Sequence, residues 1–154
     1  GVLYSNAGAT DKAIEFYEKA LEENPHDKHA YANLGSTLLY KKPKQAKEYL
    51  QKALNIDPEH DIALIELGKI DKSEGNTVAA QVKFRKAYDL YLKQWKTNSL
   101  PKYAYGWFAT VAEELEENNF AKEIRASAPK TESEAYYNKE NLSMTKTKVL
   151  TNNN

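Results

Sequence analysis

Three histidines, His26, His29 and His60, are the side chains with the most obvious chemical potential in this 154-residue chain. Imidazole nitrogens bind zinc and exchange protons near neutral pH, so a metal site or an acid–base site is the first hypothesis to consider. The chain has no cysteine, and no carboxylate cluster completes the set of ligands that zinc requires. We therefore interpret the three histidines as polar residues at the connections between helices, and we expect no metal.

The sequence offers no other recognisable set of catalytic residues. It lacks the H-E-x-x-H motif, a Gly-rich phosphate-binding loop and the G-x-S-x-G nucleophile motif. The acidic run within residues 113–117 lies near the predicted end of a helix, and we interpret it as a solvated face. The sequence thus predicts a protein that is not an enzyme and needs no cofactor.

The charges of the chain are balanced, with 22 lysines and arginines against 22 aspartates and glutamates. A dedicated nucleic-acid or membrane-surface binder needs a basic excess to attract phosphates, so the balance disfavours both classes. No run approaches the roughly 18 apolar residues that a membrane span requires. We expect a cytoplasmic protein without a membrane span; periplasmic and secreted locations stay open because a cysteine-free chain suits them as well.

The strongest pattern in the chain is an internal repeat. Gly35 and Gly68 lie 33 residues apart, and Ala46 and Ala80 lie 34 apart. A period of this length indicates stacked repeats that share a continuous core. The recurring positions are Gly1, Tyr4, Ala13, Tyr17, Ala20 and Pro25; then Tyr31, Leu34, Gly35, Leu38, Ala46, Leu50, Ala53 and Pro58; then Leu64, Leu67, Gly68, Asp71, Ala80, Phe84 and Ala87.

These spacings resemble the tetratricopeptide repeat (TPR), whose signature places W-x2-L-G-x2-Y before A-x3-F, a small residue and a proline over about 34 residues. The resemblance covers residues 1–92. It implies an all-α fold, a right-handed superhelix of antiparallel helix pairs with about three repeats and a degenerate C-terminal capping hairpin. The implied solenoid spans 1–128, divided into a truncated repeat 1–27, repeats 28–60 and 61–98, and the capping hairpin 99–128, before a polar tail 129–154.

Several residues predict where helices begin and end. Asp27 and Asp61 stand where an N-cap or an early acidic residue would open a helix. Gly8 and Gly75 predict turns inside the first and third repeats. The second repeat instead has Lys41-Lys42-Pro43, is one residue shorter there, and predicts a tighter turn.

From the second helix of the third repeat onward, the sequence predicts one long helix followed by a hairpin. Phe84, Tyr88, Tyr91 and Trp95 follow helical spacing and predict a helix from about residue 77 to about residue 96. The ranges 102–117 and 120–128 predict the two helices of a hairpin, with a turn at 118–119. In the tail, 131–134 resembles a capping box, 141–143 fits a glycosylation acceptor that we interpret as fortuitous, and the last residues are predicted to be disordered.

In this family the first helix of each pair lines a concave surface, on which a peptide or protein segment docks. The residues that the resemblance places there as partner-binding candidates are Asn33, Ser36, Tyr40, His29, Ile65, Glu66 and Lys69. Further positions on the same faces are Ala32, Leu39, Ile62 and Ser73. Asn33 is the leading candidate because its amide can both donate to and accept from a peptide backbone. Tyr40 and Trp107 are the aromatic residues expected to be exposed.

One branch of the family binds the C-terminal carboxylates of heat-shock chaperones through a lysine–asparagine–asparagine–lysine–arginine clamp. Asn33 matches the asparagine of the middle repeat. Val2 stands where the other asparagine is expected, and Ile62 and Glu66 stand where the last lysine and the arginine are expected. Because a glutamate repels a carboxylate, the sequence disfavours a co-chaperone domain of this kind.

A structural role is the alternative to peptide binding. Gly1 corresponds to the middle of a helix, so we expect the natural protein to extend upstream by at least half a repeat. The truncated repeat would leave Ile14, Tyr17 and Leu21 partly uncovered, and another domain of a longer chain or a second copy could cover them. The sequence therefore predicts a scaffold or adaptor that binds a protein or peptide and no nucleic acid, with a self-associating or structural solenoid as the alternative.

Overall fold

The computed structural model describes residues 2–129, with side chains described from Gly8 onward. The described residues form seven helices and no strand, which confirms the prediction of an all-α fold. The helices are α1 (Val2–Glu23), α2 (Lys28–Leu38), α3 (Pro43–Ile56), α4 (Asp61–Ser73), α5 (Thr77–Lys96), α6 (Ala104–Glu114) and α7 (Asn118–Ser127). The predictions of a capping box, a glycosylation acceptor and a disordered end lie outside the described residues.

The chain divides into two compact units, residues 1–87 and residues 88–154. Within the described residues, the first unit contains α1 to α4 and the beginning of α5. The second unit contains the rest of α5 together with α6 and α7. The period of 33 or 34 residues belongs to the first unit, so the candidate binding residues all lie there.

Prolines and caps set the helix boundaries of the first unit. Helices α1 and α3 end just before Asn24-Pro25 and Asp57-Pro58, because the residue before a proline is disfavoured in helical angles. Asp27 is the N-cap of α2 and accepts hydrogen bonds from the backbone N–H groups of His29 and Ala30, at 2.9 and 3.0 Å. At the equivalent position before α4 the N-cap is His60, and Asp61 is the acidic residue of the first turn.

The glycines of the repeat allow the two helices of a pair to approach closely. A Cβ placed on Gly35 would lie 2.6 Å from Leu50 Cγ, and one placed on Gly68 would lie 2.6 Å from Phe84 Cε1. Leu50 and Phe84 are completely buried. The antiparallel course of α2 and α3 is visible in the ion pair between Lys28, at the start of α2, and Asp57, just after α3, at 2.7 Å.

Two apolar clusters form the core of the first unit. One contains the buried residues of α2 and α3 with partly buried residues of α1: Leu34, Leu38 and Ala46, packed by Ile14, Tyr17, Leu21, Leu39 and Tyr49. The other joins α2, α3 and α4: Ala32, Leu50, Ala53, Ala63 and Leu67, packed by Tyr31, Leu54 and Ile70. Each helix therefore packs against its neighbours in the chain through apolar side chains.

An aromatic cluster forms the core of the second unit. Tyr88, Tyr91 and Trp95 lie on α5, as predicted from their helical spacing, and all three are buried. The ring of Phe108 on α6 lies 5.4 Å from that of Tyr88, and the ring of Phe120 on α7 lies 5.3 Å from that of Trp95. The two phenylalanine rings meet edge to face at 5.7 Å, a favourable geometry for aromatic pairs.

The predicted turn at Gly8 is wrong, because α1 runs through it without interruption from Val2 to Glu23. Glycine permits the left-handed conformation of a turn but does not force it. Gly75, by contrast, adopts that conformation with φ of +84° between α4 and α5, as predicted.

The predicted tighter turn in the second repeat is also wrong, since residues 39–42 separate α2 from α3 and only residues 74–76 separate α4 from α5. Pro43 occupies the first turn of α3 and excludes Lys42 from helical angles. The shorter repeat is therefore accommodated in α2, which has 11 residues against 13 in α4.

The turn between α6 and α7 lies earlier than predicted. Residues 115–117 form it, with Glu116 at a positive φ of 65°, and α7 begins at Asn118. The sequence pattern favoured Asn118 and Asn119 because asparagine is common in turns. The helix from Thr77 to Lys96, in contrast, has the predicted ends.

Candidate functional site

The candidate residues of α2 lie on successive turns of one face of that helix and in the connection after it. His29 is exposed, and Asn33 and Ser36 are partly buried. Tyr40 is 94% exposed, as predicted. Exposure was also predicted for Trp107, but this residue, in the second unit, is half-buried. This face of α2 is therefore accessible at its two ends.

The candidate residues of α4 differ from one another in accessibility. Lys69 is partly exposed, but Ile65 and Glu66 are 0% and 5% exposed. The expectation that Ile65 and Glu66 lie on an open surface is therefore wrong. Helix α4 carries apolar residues around most of its circumference and is buried on more than one face. Ala32 of α2 is also fully buried, inside the cluster with Leu50.

Two buried polar atoms on these helices have no hydrogen-bond partner among the described residues: Ser36 Oγ on α2 and Glu66 Oε2 on α4. The ammonium group of Lys69 lies 3.5 Å from Glu66 Oε2, within ion-pair range but without hydrogen-bond geometry. A buried polar group without a partner costs about 1–3 kcal/mol. The faces predicted to bind a partner thus contain polar groups that their own surroundings leave unsatisfied.

His29 and His60 form a pair that joins the beginnings of α2 and α4. His29 Nδ1 lies 3.0 Å from His60 Nε2, and the ring centroids are 4.9 Å apart. Burial lowers the pKa of the His60 imidazole; Asp61 opposes this shift and His29 adds to it. Nowhere in residues 2–129 do three or more histidines, cysteines or carboxylates gather in a group that could bind a metal ion.

In the sequence, His60 was interpreted as a polar connecting residue, and His29 both as a connecting residue and as a partner-binding candidate. Their spacing of 31, close to the repeat period, could have indicated that neighbouring repeats bring His29 and His60 together. The pair is better described as a structural contact, since His60 Nδ1 also caps α4 by accepting from Ala63 N–H at 3.4 Å.

Tyr40 and Lys69, which were predicted from different repeats, line the same cleft. The cleft has a volume of about 420 Å³ and lies between the end of α2, the start of α3 and the end of α4. We call it the inner-turn cleft. Its lining residues are Leu39, Tyr40, Pro43, Lys44, Lys47, Lys69, Ile70, Ser73 and Glu74.

Only part of this cleft could be identified from the sequence. Pro43, Lys44 and Lys47 at the start of α3 were missed because only the first helix of each pair was considered. Ile70 and Glu74, at the end of α4, were missed because they were not among the candidate positions chosen on that helix. The available signal was the basic run that directly follows the exposed Tyr40.

The inner-turn cleft is cationic, with three lysines and one glutamate in its lining. Lys47 Nζ is paired with Glu74 Oε2 at 2.6 Å. Lys44 is exposed and makes no ion pair with any residue in 2–129. A chain with no net charge therefore presents a local positive surface beside an exposed aromatic ring.

None of the helices in residues 2–129 is long and apolar enough to cross a membrane.

Comparison with known proteins gives one family match. The family model of the tetratricopeptide repeat matches residues 1–27 and 29–60. No curated protein matches the chain. Two of the solved structures that are similar to it are crystal structures of MamA. One, of MamA protein, has 21% identity over 89% of this chain and 68% of that chain, with a TM-score of 0.49. The other has 23% identity over 94% of this chain and 86% of that chain, with a TM-score of 0.48. At these values the similarity has no bearing on function.

Proposed function

The chain belongs to the tetratricopeptide-repeat family through the repeats in residues 1–60, and on that premise we propose that it is a non-catalytic module that binds a peptide or protein segment on the surface of α2 and α4. Repeats of this family support protein-interaction scaffolds in general. The observation that carries the proposal is the meeting of Tyr40 and Lys69, from two different repeats, at the inner-turn cleft.

The chemistry of α2 suits the backbone of a bound segment. Asn33 can donate to a carbonyl and accept from an N–H group. Ser36 lies one turn further along the same helix and is partly buried. Tyr40 offers a rigid ring with a polar tip, and tyrosine is enriched among the residues that dominate binding energy.

The proposal is tested by selecting binders from a display library of random peptides and measuring their affinity by titration calorimetry. The parent chain is compared with the double variant Asn33→Ala/Tyr40→Ala. We expect the variant to lose the selected peptides while circular dichroism shows the same helix content. Tyr103→Ala/Asn119→Ala is the matched control, because it removes the same two residue types from exposed positions elsewhere.

Two results would count against binding on this surface. Either the control double variant loses the peptides as completely as Asn33→Ala/Tyr40→Ala does, or the parent yields no peptide that binds reproducibly. In the second case the structural role becomes the better account.

Self-association is the second candidate function, and the observation in its favour is Phe16, an aromatic residue of α1 that is 68% exposed. A phenylalanine in that position loses contact with water if a second copy covers it. Light scattering over a range of protein concentrations tests this candidate. A mass that rises with concentration in the parent and stays at the monomer value in Phe16→Ser would support it; a constant monomer mass in both would exclude it.

A further inference from the structure

The inner-turn cleft restricts the chemistry of the segment that can bind more sharply than the rest of the α2–α4 surface does. We propose that it binds an acidic peptide segment, which seats one apolar side chain in the cleft and directs its carboxylates to the lysines at the rim. This inference rests on the proposed function and specifies the class of its partner.

The floor of the cleft is apolar and held in place by the core. Leu39 packs against the cluster formed by α1, α2 and α3, and Ile70 packs against the cluster formed by α2, α3 and α4. Pro43 adds a ring whose backbone φ is fixed. A surface already ordered in the free protein loses little conformational entropy when a ligand binds. The volume of about 420 Å³ falls within the range of roughly 300–1,000 Å³ that is usual for ligand-binding clefts.

The charges at the rim select for carboxylates. Glu74 is neutralised by Lys47 at 2.6 Å, so it opposes an incoming anion less than a lone glutamate would. Lys44 has no ion-pair partner among the described residues, and the side chain of Lys69 is 35% exposed. A carboxylate that reaches Lys44 therefore gains a pairing that the free protein does not already make.

The positive surface extends beyond the lining of the cleft. Lys42 is exposed next to Pro43 and extends this surface, whereas the charge of Lys41 is offset by Asp11 of α1, whose Oδ1 lies 3.0 Å from Lys41 Nζ. This extension adds long-range attraction for an acidic segment, and salt screens such attraction over about 10 Å at 0.1 M ionic strength. Binding should therefore weaken as salt is added.

A nucleic acid would also be attracted to lysines, but the cleft suits it less well. Leu39, Pro43 and Ile70 make much of its lining apolar. The lining also contains Glu74, and the chain as a whole has no basic excess. Non-specific binding of single strands relies on a positively charged groove with several stacking aromatic rings, and the lining offers only Tyr40. An acidic protein segment is the partner that matches both the apolar floor and the cationic rim.

The experiment measures fluorescence anisotropy with three short labelled peptides. The first has glutamates on both sides of a central Leu-Phe pair, the second replaces its glutamates by glutamines, and the third replaces its Leu-Phe pair by Gly-Ser. We expect the first to bind at least about tenfold more tightly than the other two, a difference of about 1.4 kcal/mol. Its affinity should fall with added salt.

Variants of the chain locate the interaction. Lys44→Glu should weaken the acidic apolar peptide roughly tenfold, whereas Lys44→Arg should retain it. Lys122→Glu, an equal change of charge on α7 outside the cleft, should leave the affinity unchanged. Lys44 is chosen over Lys69 because it is exposed and has no ion-pair partner in 2–129, so its substitution leaves the fold intact.

The possible results test the preference for acidic segments separately from peptide binding in general. Equal binding of the glutamine peptide would overturn the acidic selectivity, while loss of both peptides in Tyr40→Ala would still support peptide binding. Displacement of the peptide by oligouridylate at equal concentration would overturn the assignment to a protein segment. If none of the peptides binds the folded chain, the inference fails, and the library selection with Asn33→Ala/Tyr40→Ala decides the broader function independently.

Discussion

The α2–α3 pair and the α4–α5 pair, compared within the first unit, repeat the same contact at equivalent positions. Gly35 faces Leu50 in one, and Gly68 faces Phe84 in the other, with the same distance of 2.6 Å from an added Cβ to the facing side chain. One period further along the chain, Phe84 occupies the place of Leu50, and the glycine again leaves room for the facing side chain.

The two pairs differ one turn further along. Leu38 belongs to the apolar cluster of the α2–α3 pair, and Tyr49 packs against that cluster. At the equivalent positions of the α4–α5 pair, Asp71 and Lys83 form an ion pair at 2.5 Å, and Asp71 is 8% exposed. The equivalent positions therefore carry apolar side chains in one pair and opposite charges in the other.

The pairs also differ at their inner turns, and this difference bears on function. The turn of the α2–α3 pair contains Tyr40, which is 94% exposed, next to a basic run, whereas the turn of the α4–α5 pair contains Gly75 at a positive φ. Positions that face the partner helix carry the fold. The candidate site is built from the turn of the α2–α3 pair and the helix ends beside it.

The largest expected effect is the loss of the large side chain that faces each glycine. Phe84→Ala should lower the free energy of unfolding by about 3–5 kcal/mol and Leu50→Ala by about 2–5 kcal/mol, because each leaves a cavity beside a glycine that cannot fill it. Urea denaturation measures both. Val82→Ala is the control, since a side chain that is 64% exposed should change stability by less than about 0.5 kcal/mol. A cost at Leu50 clearly above that at Phe84 would break the comparison.

The next effect concerns the ion pair that distinguishes the pairs. Lys83→Ala should destabilise by about 1–3 kcal/mol, because it leaves the buried carboxylate of Asp71 without its cation. The double variant Asp71→Leu/Lys83→Tyr has the residue types that the α2–α3 pair carries at the equivalent positions. Its free energy of unfolding should equal or exceed that of the parent.

Thermal and urea unfolding of the parent, the single variant and the double variant give this comparison directly. If the double variant loses as much stability as Lys83→Ala does, the two pairs of residues are not interchangeable. The apolar packing would then depend on neighbours that only the α2–α3 pair has.

A smaller effect should appear as non-additivity between a glycine and its facing residue. Gly35→Ala alone should cost about 1–3 kcal/mol, because its methyl group overlaps Leu50. In Leu50→Ala the added methyl enters vacated space, so Gly35→Ala/Leu50→Ala should be more stable than the sum of the single changes by about 1 kcal/mol or more. A double-mutant cycle measures the coupling. Gly8→Ala combined with Leu50→Ala is the additive control, since an added Cβ there meets no atom within 4 Å.

The smallest effect should be a dependence of stability on pH from the N-caps. Burial lowers the pKa of His60, so the unfolded chain binds a proton more readily than the folded chain does. His60 therefore makes its full contribution to the free energy of unfolding above pH 6.5, the ordinary pKa of histidine. This contribution is lost as pH falls below 6.5. The groups that act on this imidazole are Asp61, His29, Asp57 and Lys28.

Giving α4 the N-cap residue type of α2 makes the test of this pH dependence more specific. His60→Asp places at α4 the residue type that caps α2, and its stability between pH 7.5 and pH 5.5 should vary less than that of the parent. His26→Asp, which changes an exposed histidine, should retain the parental slope. An equal slope in parent and His60→Asp would show that another group governs the acid sensitivity.

Much of the fold could be predicted because the repeat pattern is local and redundant. The spacing of 33 residues between Gly35 and Gly68 indicated stacked repeats, and the ends of the helix Thr77–Lys96 follow from aromatic periodicity and the absence of a proline. The turn at Gly8 was predicted wrongly because glycine allows a turn and a helix alike. The residue type alone does not choose between them.

The candidate site could be predicted only in part, because its lining comes from the ends of three helices. Tyr40 and Lys69 were found from helical spacing, whereas Lys44 and Ile70 join them only once α3 and α4 are placed. The burial of Glu66 could not be predicted either, because a glutamate at a helical position is exposed or buried according to its neighbours in space.

The contrast between Leu38–Tyr49 and Asp71–Lys83 has a consequence for how such repeats diverge from one another. Two apolar residues are compatible with each other at these positions, and so are two opposite charges. A single substitution in either pair, however, places a lone charge beside an apolar side chain. Duplicated repeats that differ in this contact are therefore separated by an unfavourable intermediate, whichever residue changes first. Among descendants of one ancestral repeat, the two positions should be replaced together, and a mixed pair should persist only where a third residue supplies the missing charge.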